Sequence, residues 1–368
     1  MKPSQPSLKP QNADTAHIWY YDLLRVVATF FVIMLHVTSA NVSALDYTTT
    51  EWKIHVLYNG ASRWAVPVFV MLSGALFLNP NKQINTGILY HRHIPKMLLT
   101  FLGWSLFYAV VYTIRMKEIT PSTFLYLIVC GYSHMWFIHL IISLYMLVPV
   151  LRKISEDCEL LKYIVPIGLV AVFVFPAIID FLSQFDSKLI QRILPIISDM
   201  FHATAFAKAS EYVLYYLLGY CLSFVVMKSK SRFWIYAAGI CGLGMTVFLT
   251  LWATDRSGIK TGQYYEPQAI NVLLMSTAVF VCGRYGMSHI QPGEKTKQAL
   301  LFLSKHSFTI YLVHMLIIDL FGDFGLQSMC FHPMISIPIL ATLVFLLSLL
   351  VAVLIGYIKA HCTLLRKG

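Results

Sequence analysis

The chain has 368 residues, 58% of them hydrophobic and only 12% charged, with a mean hydropathy of +0.68. A soluble domain carries about twice that charge fraction, so composition excludes a soluble enzyme and points to a polytopic membrane protein. The net charge of +11 reads as basic cytoplasmic loops; no aromatic-interleaved basic patch accompanies it, and no nucleic-acid partner is expected.

Residues 1–17 are polar and contain proline, and they read as a disordered cytoplasmic tail. The first hydrophobic run, Ile18 to Ala40, is too long for a signal peptide and lacks a cleavage-type end, so it is expected to stay as a membrane helix. It carries Asp22, Arg25 and His36. Ionisable groups in a spanning helix are expensive and face a bundle interior or a wet cavity. Arg25 and His36 are eleven residues apart, about three turns at roughly 3.6 residues per turn, so they share one face. Asp22 is one turn before Arg25 and within reach of an i,i+3 pair.

Further hydrophobic runs follow near 60–79, 95–114, 134–151, 161–182, 210–227, 233–253, 267–284, 299–321 and 335–358. The prediction is an all-α bundle of about ten membrane helices spanning 18–358, with 359–368 as a short cytoplasmic tail. The apolar piece Thr123 to Gly131 is too short for a span and reads as a half-helix or surface segment. With the N-terminus inside, eighteen Lys and Arg fall in cytoplasmic segments against nine outside, which predicts both termini in the cytoplasm. The larger outer connections are then 41–59, 183–209 and 254–266.

Several polar groups interrupt these runs. Arg63 opens the second, followed by Pro67 and Ser73-Gly74, where ordinary helix packing and a local opening are both open readings. Arg92, His93 and Lys96 form a basic turn, read either as a topology anchor or as an anion site for the phosphates of a cytoplasmic ligand. His134 and Trp136 open the fourth span; Trp136 fits an interface anchor, and His139 reads as structural. Glu211 is a candidate cavity carboxylate or a residue of the aqueous boundary. His314, in the middle of the ninth span, is a functional candidate or a buried packing residue. The seven cysteines are scattered without a CxxC pair, so neither a disulfide framework nor a metal site is expected.

Taken in order, Asp22 with Arg25-x10-His36, VPVFVMLSG (66–74), HRHIPK (91–96), HMWFIHLIISLYMLVP (134–149), YYLLGY (215–220) and FTIYLVH (308–314) resemble the acyltransferase 3 family of integral membrane acyltransferases. The resemblance covers essentially the whole chain. One departure lies in the basic turn, where relatives often carry Arg-x-x-Arg and the matching positions here are His93 and Lys96, with Arg92 adjacent. The chain is similar to stand-alone members that acetylate cell-surface polysaccharides. The resemblance implies a multi-pass protein of the bacterial cytoplasmic (inner) membrane, in contact with membrane lipid. It implies acetyl-CoA as cytoplasmic acyl donor and a cell-surface glycan or lipid-linked sugar as acceptor. On this reading His36 and Arg25 are catalytic, Asp22 supports Arg25, and Arg92, His93 and Lys96 bind the donor. His134, Trp136, Glu211 and His314 are cavity candidates with no role assigned. Direct transfer and an acetyl-histidine intermediate both stay open. A second class, an exporter or flippase of a polysaccharide or lipid-linked sugar, also accommodates membrane-embedded Arg and His, though no internal repeat is visible.

Overall fold

The computed structural model describes residues 18–82, 84–116, 120–183, 193, 205–288 and 292–365. The predicted disordered tail 1–17 lies outside the described residues, as does most of the outer connection 183–209. All regular structure among the described residues is helical. In chain order the helices are α1 (Trp19–Val42), α2 (Thr50–Ser62), α3 (Ala65–Phe77), α4 (Ile94–Met116), α5 (Pro121–Cys130), α6 (Trp136–Glu156), α7 (Cys158–Leu169), α8 (Phe175–Leu182), α9 (Ala205–Phe224), α10 (Ser229–Ser257), α11 (Ile270–Ser288), α12 (Glu294–Asp323) and α13 (Pro333–Leu365). A single turn, Thr86–Ile88, and a π-helical turn, Leu89–His93, lead into α4.

The helix ends follow local chemistry. Thr49 caps α2 by accepting from the Trp52 amide, and Thr120 caps α5 ahead of Pro121, whose missing amide hydrogen is harmless at a first turn. The Thr49 cap moves the second span's start to Thr50, ten residues before the predicted 60. The polar stretch 50–62 hides this helix from hydropathy, yet Trp52, His55, Asn59 and Ser62 are all buried. The predicted outer loop 41–59 therefore shrinks to a short turn.

Apolar residues cover the outside of the helices. Leu99, Leu102, Leu106, Val110 and Ile114 of α4 are exposed at spacings of three and four, and Ile339, Leu343, Leu347, Leu350 and Leu354 repeat the pattern on α13. Water would penalise such stripes; lipid does not, while the helical backbone satisfies its own hydrogen bonds. The chain is a multi-pass membrane protein.

By internal contacts the chain divides into two units, Met1–Leu76 with Lys162–Gly368, and Phe77–Leu161. In the smaller unit, Tyr90 donates to the Met146 carbonyl at 2.6 Å and Arg152 to the Phe77 carbonyl at 3.0 Å. Gly131, with φ of 76°, ends α5. The segment Thr123 to Gly131 thus belongs to a helix of ten residues, too short to span alone.

In the larger unit, contacts fix helix directions. Asp22 and Arg25 of α1 meet Ser304 of α12, and His36 meets His314, so α1 and α12 are parallel. The second span is antiparallel to α1, since Asn59 bonds Thr38 and Ser39 while Trp64 packs on Phe31. Helix α9 ends with Ser223 against Tyr20 and Tyr21. Earlier on α9, Tyr215 bonds the Pro267 carbonyl, near the end of the bundle that holds Tyr265 and Arg63. It too runs against α1.

Nine helices among the described residues are long and apolar enough to cross a bilayer, and α12 is the eighth of them. Strict alternation would make an eighth passage antiparallel to the first. The observed parallel packing requires one more crossing before α12, and α9, with its short apolar part Tyr212–Phe224, supplies it. Among the described residues this gives about ten crossings, α9 included.

Helix α9 passes α3 at backbone contact. A Cβ built at Gly74 would stand 1.8 Å from the Tyr216 carbonyl oxygen, and one at Gly219 would stand 1.9 Å from that of Met71. Gly74→Ala and Gly219→Ala are expected to lower stability by about 1–3 kcal/mol or more through overpacking. Gly244→Ala, where an added Cβ meets nothing within 4 Å, is expected to be neutral or mildly stabilising. Thermal unfolding monitored by size-exclusion chromatography checks this; equal melting of all three variants would contradict the crossing.

Candidate functional site

Helix α1 carries two polar stations. At its first turn the Ser304 hydroxyl donates to Asp22 Oδ1 at 2.5 Å, and Arg25 Nη1 donates to Ser304 Oγ at 2.7 Å and to Asp22 Oδ1 at 3.3 Å. The Asp22 carboxylate is almost fully buried and Arg25 is about one-third exposed. This closed triangle ties α1 to α12. Beside it, Arg284 donates to the carbonyls of Leu222 and Val225, closing the C-terminal end of α9 as a cation does well. Asp22 does hold Arg25, but Arg25 is about 16 Å along the helix from His36 and does not meet it.

The second station surrounds His36. Its ring faces the His314 ring at a centroid distance of 5.2 Å and a tilt of 49°. His314 is fully buried and its Nδ1 lies 2.5 Å from the Tyr311 carbonyl oxygen. A carbonyl only accepts, so Nδ1 carries a proton, and in the neutral ring Nε2 holds the lone pair. His36 is half-buried and Arg63 lies within coulombic range of it.

The position of Arg63 follows from Asn59. Asn59 Oδ1 accepts from Arg63 Nε at 2.8 Å and from Nη2 at 2.5 Å, and its Nδ2 donates to Thr38 Oγ1 and Ser39 Oγ at 2.9 Å each. One buried amide therefore fixes the guanidinium to the turn of α1 that follows His36. The Tyr265 ring lies 4.4 Å from the guanidinium carbon, a cation–π contact. Arg63 Nη1 also donates to the Tyr265 carbonyl at 3.5 Å, which leaves two of the five N–H groups of the guanidinium for another acceptor. A cation at this depth with spare donors suits an anion or a developing negative charge.

Sequence reasoning placed Arg25 and His36 on one face about three turns apart; next to His36 the structure packs His314, and it sets Arg63 close enough to act on His36 electrostatically. Arg63 was legible only as a charge opening a hydrophobic run. The i,i+4 spacing of Asn59 and Arg63 on α2 was the available signal, hidden inside a segment read as loop.

The other candidates have surroundings of their own. His134 belongs to the smaller unit, buried against Tyr108 and Tyr132 at ring distances of 5.3 and 5.9 Å. Trp136 is 42% exposed, as an interface residue would be. His139 packs on Phe101 at 4.3 Å. Arg92, His93 and Lys96 are exposed, the first two in the π-helical turn. Glu211 lies on α9, its side chain outside the described residues. No group of three or more metal-ligating side chains occurs among the described residues. A groove lined by Pro166, Ile167, Val170, Ala171 and Phe175 is wholly apolar and offers no group for chemistry.

Residues 18–358 match the model of the acyltransferase 3 family, described as an acyltransferase domain. No curated protein and no solved structure matches the chain.

The Asp22–Arg25–Ser304 triangle predicts a coupled stability effect. Asp22→Leu or Arg25→Leu alone is expected to cost about 1–3 kcal/mol by removing one bonded charge from the triangle, and the double variant less than the sum. Ser304→Ala is expected to cost about 1–3 kcal/mol. A double-mutant cycle read by thermal unfolding checks this; strictly additive losses would contradict the triangle.

Proposed function

The chain belongs to the acyltransferase 3 family and is a membrane acyltransferase; from that premise we propose that it transfers an acetyl group from cytoplasmic acetyl-CoA to a hydroxyl of an extracytoplasmic glycan or lipid-linked sugar. The observation that carries the site assignment is the packing of His36 on His314, with Arg63 held by Asn59 to the turn of α1 that follows His36.

In this reading the lone-pair nitrogen of His36 takes the proton of the acceptor hydroxyl as its oxygen attacks the thioester carbon. The C–O bond forms and the carbonyl oxygen becomes an oxyanion. Arg63, held by Asn59, offers spare N–H donors to that charge, in a site shielded from bulk water where such a donor is most effective. Collapse of the tetrahedral intermediate breaks the C–S bond, and the protonated His36 returns its proton to the departing sulfur. His314, with Nδ1 committed to the Tyr311 carbonyl, presents Nε2 toward its own surroundings and helps set the His36 ring. The exposed cations Arg92 and Lys96, with His93, are proposed to meet the donor's phosphates. Arg25 acts as a positioning residue by fixing α1 to α12. The location proposed is the cytoplasmic membrane of a bacterium, both termini inside.

The test is transfer of radiolabelled acetyl from acetyl-CoA in proteoliposomes supplied with a bacterial membrane glycan extract. Loss of a general base lowers the rate by about 10²–10⁴, so His36→Ala is expected to fall in that range. Arg63→Gln is expected to lower kcat by about 10²–10³ with little change in the KM for acetyl-CoA, since it acts on the transition state. Unimpaired transfer by His36→Ala would overturn the assignment, and export of glycan without label in the product would favour a transporter.

A further inference from the structure

The turn between α9 and α10 lies at the end of the larger unit where α1 begins, since Ser223 of α9 meets Tyr20 and Tyr21. The turn is pinned to α11. Arg284 donates to the Leu222 and Val225 carbonyls, and the Tyr285 hydroxyl accepts from the Met227 amide at 2.8 Å. Arg232, in the first turn of α10, lays its guanidinium over the Tyr285 ring, 4.5 Å from the centroid, and the Arg284 guanidinium lies 5.0 Å from the same centroid. Lys228 and Lys230, both exposed, precede Arg232 on the turn.

No carboxylate answers these charges. The sequence holds no Asp or Glu from Tyr212 to Thr254 or from Pro267 to Gly293, which covers the three segments that meet here. The acid that α1 brings to this end, Asp22, is committed to Arg25 and Ser304. Arg284 spends its Nη1 on the two carbonyls. Arg232 is different: among the described residues its guanidinium has the ring contact and no hydrogen bond. A half-buried guanidinium with its donors unused, gathered with a second one at the same ring, is a place where like charges repel and an anion is favoured.

The apolar side of the same turn selects the anion. Val226 is 88% exposed, and Phe233 and Trp234, which follow Arg232, are 64% and 62% exposed. Water penalises such side chains, whereas the boundary between headgroups and hydrocarbon accommodates them and favours Trp in particular. Ser229 opens a helix long and apolar enough to span, so the cations stand at the level of lipid phosphates and the aromatic rings beside acyl chains. A soluble phosphate would use the cations and leave the apolar flank in water; an anionic phospholipid uses both. A guanidinium suits the phosphate because it donates two parallel hydrogen bonds.

We propose that Arg232, Lys228 and Lys230, with the charge of Arg284 behind them and Phe233 and Trp234 as the apolar flank, form a site for the headgroup of an anionic phospholipid. The site does not depend on the acyl-transfer reading.

The test titrates the full chain, purified in an uncharged detergent and freed of co-purified lipid, with phosphatidylglycerol or phosphatidylcholine of identical acyl chains, and counts bound lipid by native mass spectrometry. Each Lys or Arg beside an anionic lipid is worth about a fivefold change in affinity. Phosphatidylglycerol is therefore expected to bind saturably and about tenfold or more tightly than phosphatidylcholine. Arg232→Gln, and separately the Lys228→Gln, Lys230→Gln double variant, are expected to weaken phosphatidylglycerol about fivefold or more and to leave phosphatidylcholine unchanged. Arg232→Lys, which keeps the charge and loses the planar fork, is expected to weaken it less. The two lysines are exposed, so their variant keeps the test decisive where Arg232→Gln fails to fold. Lys82→Gln, which removes an exposed lysine of the other unit, is expected to change nothing. Equal binding of the two lipids, an unchanged preference in the Arg232 and lysine variants, or a loss in Lys82→Gln as large as in Arg232→Gln would overturn the site. Displacement of phosphatidylglycerol by inorganic phosphate or coenzyme A at constant ionic strength would also overturn it, in favour of a site for a soluble phosphate.

Discussion

The larger unit depends on one amide. A guanidinium cannot lie within an apolar bundle unless its N–H groups find acceptors, and a carboxylate would find them by cancelling its charge. Asn59 takes the other course. Its oxygen accepts twice from Arg63 while its nitrogen donates to Thr38 and Ser39, so the cation is held in place and keeps its charge. Arg63 and Asn59 are one turn apart on the second span, and Thr38 and Ser39 follow His36 on the first. Orientation of the cation and docking of the two spans are thus one interaction, and His36 inherits its setting from it.

The first station solves the opposite problem. Asp22 and Arg25 are brought together with Ser304, whose hydroxyl both donates and accepts. Charge is consumed there and little is left over. The two stations sit on one helix about 16 Å apart, one closed on itself and the other open to a ligand. A carboxylate holds the cation in one and an amide in the other, and that is the chemical difference between them.

Much of this was written in the sequence. The eleven-residue spacing of Arg25 and His36 is a consequence of helical periodicity, and so is the Asp22–Arg25 pair. What periodicity supplied was a shared face; it carried no information about which neighbouring helix covers each part of that face. Hydropathy found the spans by their apolar residues and so read 41–59 as a loop, because His55 and Asn59 are polar residues that bury themselves by bonding to Ser328 and to Thr38 and Ser39 elsewhere in the chain. For the same reason it could not see Arg63 as a partner of His36.

The parallel packing of α1 and α12 links fold to chemistry. Two neighbouring helices in a bundle are parallel only when an even number of passages brings the chain back, and here the short helix α9 supplies the deciding one. That arrangement gives α12 the same sense as α1, so Ser304 and His314, ten residues apart, meet Asp22 and His36, fourteen apart, at two separate depths. An antiparallel neighbour carrying the same residues in the same order would have set His314 beside Asp22 and Ser304 beside His36. The histidine would then have faced a carboxylate at the closed station, and the arginine-bearing station would have lost its second imidazole. The order of residues along α12 is meaningful only because of the direction in which it crosses.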